Sequence, residues 1–297
     1  MKRESGNRQL QRGPDLRKSV RLTVEFGSIV VAGLAVSANA WADCTREMLH
    51  ELADTYVAAQ KAGDVSLLPF AAGSTYAENN NAMNVAEGVL ADALTVDFTR
   101  SFYDTTQCAT FTEVVAATDP HPYVIHTRME ATENGQVSTM ESVVSDAGDW
   151  LFGAAEHLAV TRNEKWDEIP VNQRDTREVI QAAADAYLDN WGDPDLAVPH
   201  GTPCARLEGR INTGSRNPEG NTCDMGAFPQ KLKVGHRRYV IDETTGAVSI
   251  FHDFPWLDAG LGPDSPGTPA SQMFRVEGGK NRYIHEVTVC TTENCGR

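Results

Sequence analysis

The sequence predicts an α+β protein: a tandem duplication of two domains, each with N-terminal helices packed on a curved antiparallel sheet. Three observations carry this reading. Thr45-Arg46-Glu47-Met48-Leu49-His50-Glu51-Leu52-Ala53-Asp54-Thr55-Tyr56 recurs at Thr176–Tyr187, an offset of 131 residues with six of twelve positions identical. A repeat of that length is a duplicated domain rather than a solenoid unit of about 20–50 residues. Each copy then turns from helix-like text into short β-branched runs, the pattern of helices on one side of an antiparallel sheet. Finally, the closing hairpins recur, Glu133-Asn134-Gly135-Gln136 against Glu277-Gly278-Gly279-Lys280, at an offset of 144.

Each leading helix is amphipathic. Met48, Leu49, Leu52, Ala53, Tyr56 and Val57 recur at three- and four-residue spacing, as do Val179, Ile180, Ala183, Ala184, Tyr187 and Leu188. Asp175 and Glu178 have the spacing of a capping box for the second helix. Pro69, Tyr76 and Glu78 align with Pro199, Arg206 and Glu208 at an offset of 130. Strands are expected at residues 109–116, 123–130, 238–242, 248–251 and 273–276. Asn134-Gly135 and Gly278-Gly279 read as two-residue hairpin turns, which require positive φ. The drift from 130 to 144 assigns extra loop residues to the second copy, at Thr213 to Gly226 and Asp258 to Ser271. The domains are expected at 43–160 and 175–297, with a linker at 161–174 around Trp166 and Pro170.

Residues 1–42 have a signal-peptide layout: seven basic residues, an apolar stretch from Gly27 to Val36, then two A-x-A sites ending at Ala40 and Ala42. The expected localisation is therefore secreted. The six cysteines all follow the cleavage sites and include no C-x-x-C pair, which fits structural disulfides in an oxidising compartment. Cys204 and Cys223 bracket one Gly- and Asn-rich excursion and are the favoured pair, with Cys44–Cys108 a further expectation. The whole chain carries a formal −15; residues 1–42 hold seven basic and three acidic residues, so residues 43–297 carry −15 − 4 = −19. Such a surface repels phosphate backbones and anionic bilayers, so neither nucleic acid nor a membrane is an expected partner after cleavage.

A leading helix, a Tyr76-Ala77-Glu78-Asn79 element and hairpins ending in Phe274-Arg-Val-Glu-Gly-Gly-Lys280 make each half resemble a SnoaL-like, nuclear-transport-factor-like cone domain. The chain as a whole is similar to secreted fungal proteins of unassigned function. The shared segments are Asp43–Arg46, Asp104–Phe111, Gly201–Gly209, Arg238–Asp242 and Phe274–Gly279. The cone resemblance implies two cone-shaped domains. It also implies a function among cyclases, a dehydratase, isomerases and non-catalytic partners, because the fold alone settles none of these. No catalytic motif of the superfamily carries over residue by residue.

Candidate chemistry follows from strand parity. Arg206 and Glu208 share a face and could clamp an acidic group and act as base; an ion pair explains them as well. Tyr76 and Glu78 are their counterparts. Tyr283 and His285 share a face, as do Thr139 and Glu141, and His285 could serve as a general base or as a satisfied structural histidine. Arg238, Tyr239 and Asp242 form a third cluster, explicable as a local ion pair or turn cap, and His126 with Arg128 reads as a solvated strand face. Eight scattered histidines, no H-E-x-x-H and only a weak His252-Asp253 give no expected metal site. No cofactor-binding fingerprint occurs. The expected function is a secreted, cofactor-independent lyase, isomerase or cyclase acting on a small apolar molecule of polyketide or terpenoid type. Its expected site is His285, Glu208, Arg206 and Tyr283 in the second half, with Glu78 and Tyr76 in the first. The alternative is a non-catalytic secreted small-molecule-binding or structural protein.

Overall fold

The computed structural model describes residues 44–118, 120–226, 232–255, 267–292 and 295. The signal-like segment and its cleavage sites lie outside the described residues, as do residues 258–266 of the second loop insertion. In chain order the first half contains α1 (Arg46–Ala62), β1 (Phe70–Glu78), β2 (Asn81–Ala82), β3 (Phe98–Asp104), β4 (Ala109–Ala116), β5 (Tyr123–Ala131) and β6 (Val137–Ser145). A short helix, α2 (Ala154–Thr161), follows and runs across the boundary expected at residue 160. The second half repeats the order: α3 (Arg177–Asn190), β7 (His200–Glu208), β8 (Ile211–Asn212), β9 (Gly235–Asp242), β10 (Ala247–Phe254), β11 (Thr268–Glu277) and β12 (Lys280–Thr288).

The helix α1 starts where the Thr45 hydroxyl accepts the Met48 N–H at 3.1 Å. It ends at Gly63, whose left-handed φ of 62° suits glycine. A Cβ there would also sit 2.6 Å from the Ala93 nitrogen. The expected capping box of α3 does not form. Thr176 is its N-cap, and the Asp175 carboxylate instead accepts the Gly279 N–H at 2.9 Å, tying the helix start to the last hairpin.

The two sheets have the same strand order, β2-β1-β6-β5-β4-β3 and β8-β7-β12-β11-β10-β9. The duplication is thus a repeat of topology as well as of sequence. One correction applies: the sheets are mixed, because β1 runs parallel to β6 and β7 parallel to β12. After β2 the chain passes beside α1, where the Gln60 amide donates to the Val89 and Asp92 carbonyls, and re-enters the sheet at its far edge. The Gly278-Gly279 turn forms as expected, with φ of 60° and 68° between paired Glu277 and Lys280. Asn134-Gly135 is instead part of a longer loop in which only Gly135 has positive φ.

Every residue of β4 and of β10 is buried, so neither face of these strands meets water. One face packs on the half's own helix: Tyr56 and Leu52 against Val114, Ile125, Met129 and Met140, and Tyr187 and Ile180 against Val248, Ile250, Phe274 and Ile284. The other face packs on the opposite half, with Phe102, Phe111, Val115 and Val124 joining Val240, Phe251, Met273 and Val287 in one cluster. His126 and Arg128 lie on this second face and are 0% and 5% exposed, which corrects the solvated face expected for them.

The contact between halves is reciprocal. Arg46 pairs with Asp242 at 2.7 Å, and Arg177, its counterpart in the repeat, pairs with Asp104 at 2.7 Å. Asp104 and Asp242 each end the strand paired to the start of the next, and each caps a backbone N–H across the interface, Ile241 and Tyr103 respectively. Equivalent patches contacting each other reciprocally are the signature of a two-fold interface, here folded into one chain. Asp242 is therefore a cross-half anchor that also caps its own turn, accepting the Thr244 N–H at 3.0 Å as one expected reading had it, whereas Arg238 binds Glu141 across the interface at 2.7 Å instead of forming a local ion pair.

Both expected disulfides are present, Cys204–Cys223 and Cys44–Cys108, together with Cys290–Cys295. No described helix is long and apolar enough to cross a membrane.

Candidate functional site on the second sheet

The parallel pairing of β7 with β12 sets Arg206 opposite Ile284 and Glu208 opposite Glu286. These side chains share the face that packs on α3, where the Arg206 guanidinium donates to the Tyr187 hydroxyl at 3.3 Å. Arg206 and Glu208 lie 3.7 Å apart with side chains 16% and 20% exposed, so the pair reaches solvent. The Trp150 indole donates to Glu208 at 2.8 Å. Behind them Glu286 is buried, accepting from the Gln272 amide at 2.7 Å and the Thr288 hydroxyl at 2.9 Å.

Glu286 has no ion-pair partner among the described residues. Burial first, and then the nearby Glu208 carboxylate, push its carboxyl up to about 8. On the same face of β10, His252 is fully buried and held neutral, its imidazolium disfavoured by desolvation down to about 3. The Arg206 Nε, the Gln272 Oε1 and both ring nitrogens of His252 are buried without a hydrogen-bond partner. Buried polar atoms are rarely left this way.

The corresponding face of the first half carries Tyr76 where the second has Arg206. Tyr76 donates to Glu78 at 2.6 Å, and the same Glu78 oxygen accepts the Val89 N–H at 2.7 Å. The Tyr56 hydroxyl meets Thr127 at 2.7 Å, and Thr127 meets Ser142 at 2.9 Å. Register places Ser142 where the second half has Glu286, since each pairs with the last glutamate of its half's first strand.

Residues 173–288 match a family described as a domain of unknown function (DUF8021). That span runs from just before α3 to the end of β12, the half that contains Glu286. No curated protein matches the chain.

The structure separates the residues expected to act together. His285 pairs with Leu207, one position out of step with Arg206 and Glu208, and therefore projects from the opposite face with Tyr283. Tyr283 stacks on Trp166 at 5.7 Å between ring centres. His285 is buried in the interface between the sheets, 2.7 Å from Glu164 and 3.8 Å from Glu113. The sheet itself lies between His285 and the Arg206–Glu208 pair, so these three do not line one cavity. The equivalence of His285 with Glu141 expected from the sequence holds in register: Glu141 pairs with Ala77 as His285 pairs with Leu207.

Sequence reasoning missed Glu286 and Gln272 and weighed His252 only as a weak metal ligand; parity with Arg206–Glu208 could not reveal their shared face without the β7–β12 register. It also missed a second buried centre around Glu113. There the His157 ring lies 2.8 Å from one carboxylate oxygen, and Arg100 and Thr161 each lie 3.1 Å from the other. Burial would raise the Glu113 carboxyl, but Arg100 and the surrounding histidines outweigh it and hold the group well below the usual range. The one visible sign was a carboxylate inside an otherwise apolar and threonine-rich strand, Ala109-Thr-Phe-Thr-Glu-Val-Val-Ala116.

Proposed function

We propose that the protein is a secreted acid–base catalyst, a lyase, isomerase or cyclase acting on a small, largely apolar molecule held in a cone formed by the second sheet and α3. The observation that carries this reading is Glu286, a buried carboxyl with no cation paired to it and a proton affinity raised towards neutral pH. A general acid or base works best when its pKa lies near the operating pH. As carboxylate, Glu286 would take a proton from a carbon beside a substrate carbonyl; Arg206 would stabilise the resulting oxyanion; the protonated Glu286 would return the proton elsewhere on the substrate or to a leaving group. The chemistry uses side chains alone. Secretion rests on the signal-like N-terminus and on the three disulfides.

The base-promoted ring opening of 5-nitrobenzisoxazole, together with the carboxyl signal of Glu286 in carbon-13 NMR, tests the proposal. A Glu286 carboxyl titrating near 8, and a saturable reaction lost by at least about 10²-fold in Glu286→Gln, are expected. A Glu286 that titrates in the ordinary carboxylate range overturns it. The non-catalytic binding reading has one observation in its favour, the Trp150 indole that fastens Glu208. It gains if Glu286 titrates high while 5-nitrobenzisoxazole binds without reacting.

A further inference from the structure

Between the two sheets, four side chains from separate elements converge on one point. Glu113 comes from β4, His126 from β5, His157 from α2 and His285 from β12; all four are 0% exposed. One atom from each of Glu113, His157 and His285 lies within 4.8 Å of the other two. The His126 Nε2 is 3.8 Å from the same Glu113 Oε1 that lies 2.8 Å from the His157 Nε2 and 3.8 Å from the His285 Nδ1.

The outer nitrogens of His126 and His157 have hydrogen-bond partners, that of His285 lies beside a carboxylate, and each ring presents its inner nitrogen to this point. His157 Nδ1 is 3.0 Å from the Gly209 carbonyl oxygen. His126 Nδ1 is 3.0 Å from the Ser271 hydroxyl. His285 Nε2 is 2.7 Å from the Glu164 carboxylate. Among the described residues, the inner nitrogens of His126 and His285 and the outer nitrogen of His285 are buried without a hydrogen bond. Outer nitrogens fixed by carbonyl, hydroxyl or carboxylate groups are how proteins orient metal-binding imidazoles. The second Glu113 oxygen is taken by Arg100 and Thr161, so the carboxylate too is oriented from behind.

The fold does not require this cluster. The reciprocal interface offers an equivalent place, and there register puts Phe251 for Glu113, Ser271 for His126 and Glu141 for His285. Phe251 pairs with Ser271 as Glu113 pairs with His126. One side of a near-symmetric interface has thus acquired three imidazoles and a carboxylate where the other packs an aromatic ring.

We propose that Glu113, His126, His157 and His285 bind one divalent first-row transition metal ion, with zinc the best fit to three imidazoles and one carboxylate oxygen. Full burial makes this a closed, structural site that clasps the two halves together, rather than an open catalytic one. Metal binding would draw the inner atoms together by rotation of the imidazoles, to metal–ligand distances of about 2.0–2.2 Å.

The test uses the full secreted chain, unfolded with chelator with its disulfides intact and refolded with or without Zn²⁺ or Co²⁺. Elemental analysis after gel filtration should find one metal ion per chain, and the melting temperature of the loaded protein should rise. The cobalt form should show visible absorption bands of low-symmetry nitrogen and oxygen coordination. His126→Gln and His285→Gln should each refold yet lose stoichiometric metal. Failure of the wild type to retain either ion overturns the proposal, as would metal retained unchanged in both variants. A site occupied only by protons would leave refolding and melting indifferent to both metals. Titration of Glu286 is a separate readout, so failure here leaves the proposed chemistry standing.

Discussion

At the residue scale, the decisive groups are buried titratable side chains. Glu286 has a folded-state pKa near 8 against an ordinary 4.5, so between those values the native state holds a proton the unfolded chain has released. Its contribution to stability is present below about 4.5 and is lost as pH rises through about 8. Thermal stability of the wild type should therefore fall as pH rises through that window, and Glu286→Gln should flatten the slope; an unchanged slope would mean Glu286 titrates normally. His252 has the opposite sign. Its folded pKa is depressed to about 3 from 6.5, so the unfolded chain binds the extra proton and stability is lost as pH falls from 6.5 towards 3. With both ring nitrogens unpartnered, His252→Leu should stabilise the protein by roughly 1 kcal/mol at neutral pH and more in acid. Denaturant titrations at two pH values decide it, and a destabilised variant would show that His252 has a partner. The sequence displays these residues but hides their state, because a histidine in a strand looks the same whether it meets water, a ligand or nothing.

At the scale of elements, the interface between the halves rests on Asp104 and Asp242. Each takes an arginine and a backbone N–H from the other half. Asp104 is fully buried, so Asp104→Ala leaves Arg177 and the Ile241 N–H without their acceptor. A loss of about 3 kcal/mol is expected, because breaking a buried pair strands its partner. The double variant Asp104→Ala/Arg177→Ala should recover part of that loss, and a strictly additive pair of variants would contradict the pairing. Strand parity was read correctly from the sequence: Arg206 does share a face with Glu208, and Tyr283 with His285. The relation between those two faces was not legible. It depends on the register of β7 against β12, strands about 80 residues apart in the chain, and a one-residue step exchanges the faces.

At the scale of the molecule, three disulfides close loops of decreasing span along the chain. Cys44–Cys108 bridges a separation of 64 residues and Cys204–Cys223 one of 19. The chain-entropy model assigns them about 4 and about 3 kcal/mol. Replacing Cys44 and Cys108 by serine should thus lower the melting temperature more than replacing Cys204 and Cys223; the reverse order in calorimetry would place the effect in native strain or residual unfolded structure. The reciprocal interface leads to another expectation. The second half expressed alone exposes Val240, Phe251, Met273 and Val287, together with both Arg177 and Asp242. It should form a homodimer in which Arg177 of one copy meets Asp242 of the other. Sedimentation of a stable monomer would rule that out.

The sequence by itself determined the duplication, the amphipathic helices and two disulfide pairs. The first two follow from repeated text and local periodicity, and Cys204–Cys223 from a short excursion read directly. Only the tertiary structure decided that the sheets are mixed, that β4 and β10 are buried on both faces, and that scattered histidines meet at Glu113. The reason is physical. Periodicity reports which side chains share a face, whereas the environment of that face is set by whatever packs against it. Here that partner is the other half of the same chain, brought in by contacts between residues more than a hundred positions apart, such as Arg46 and Asp242.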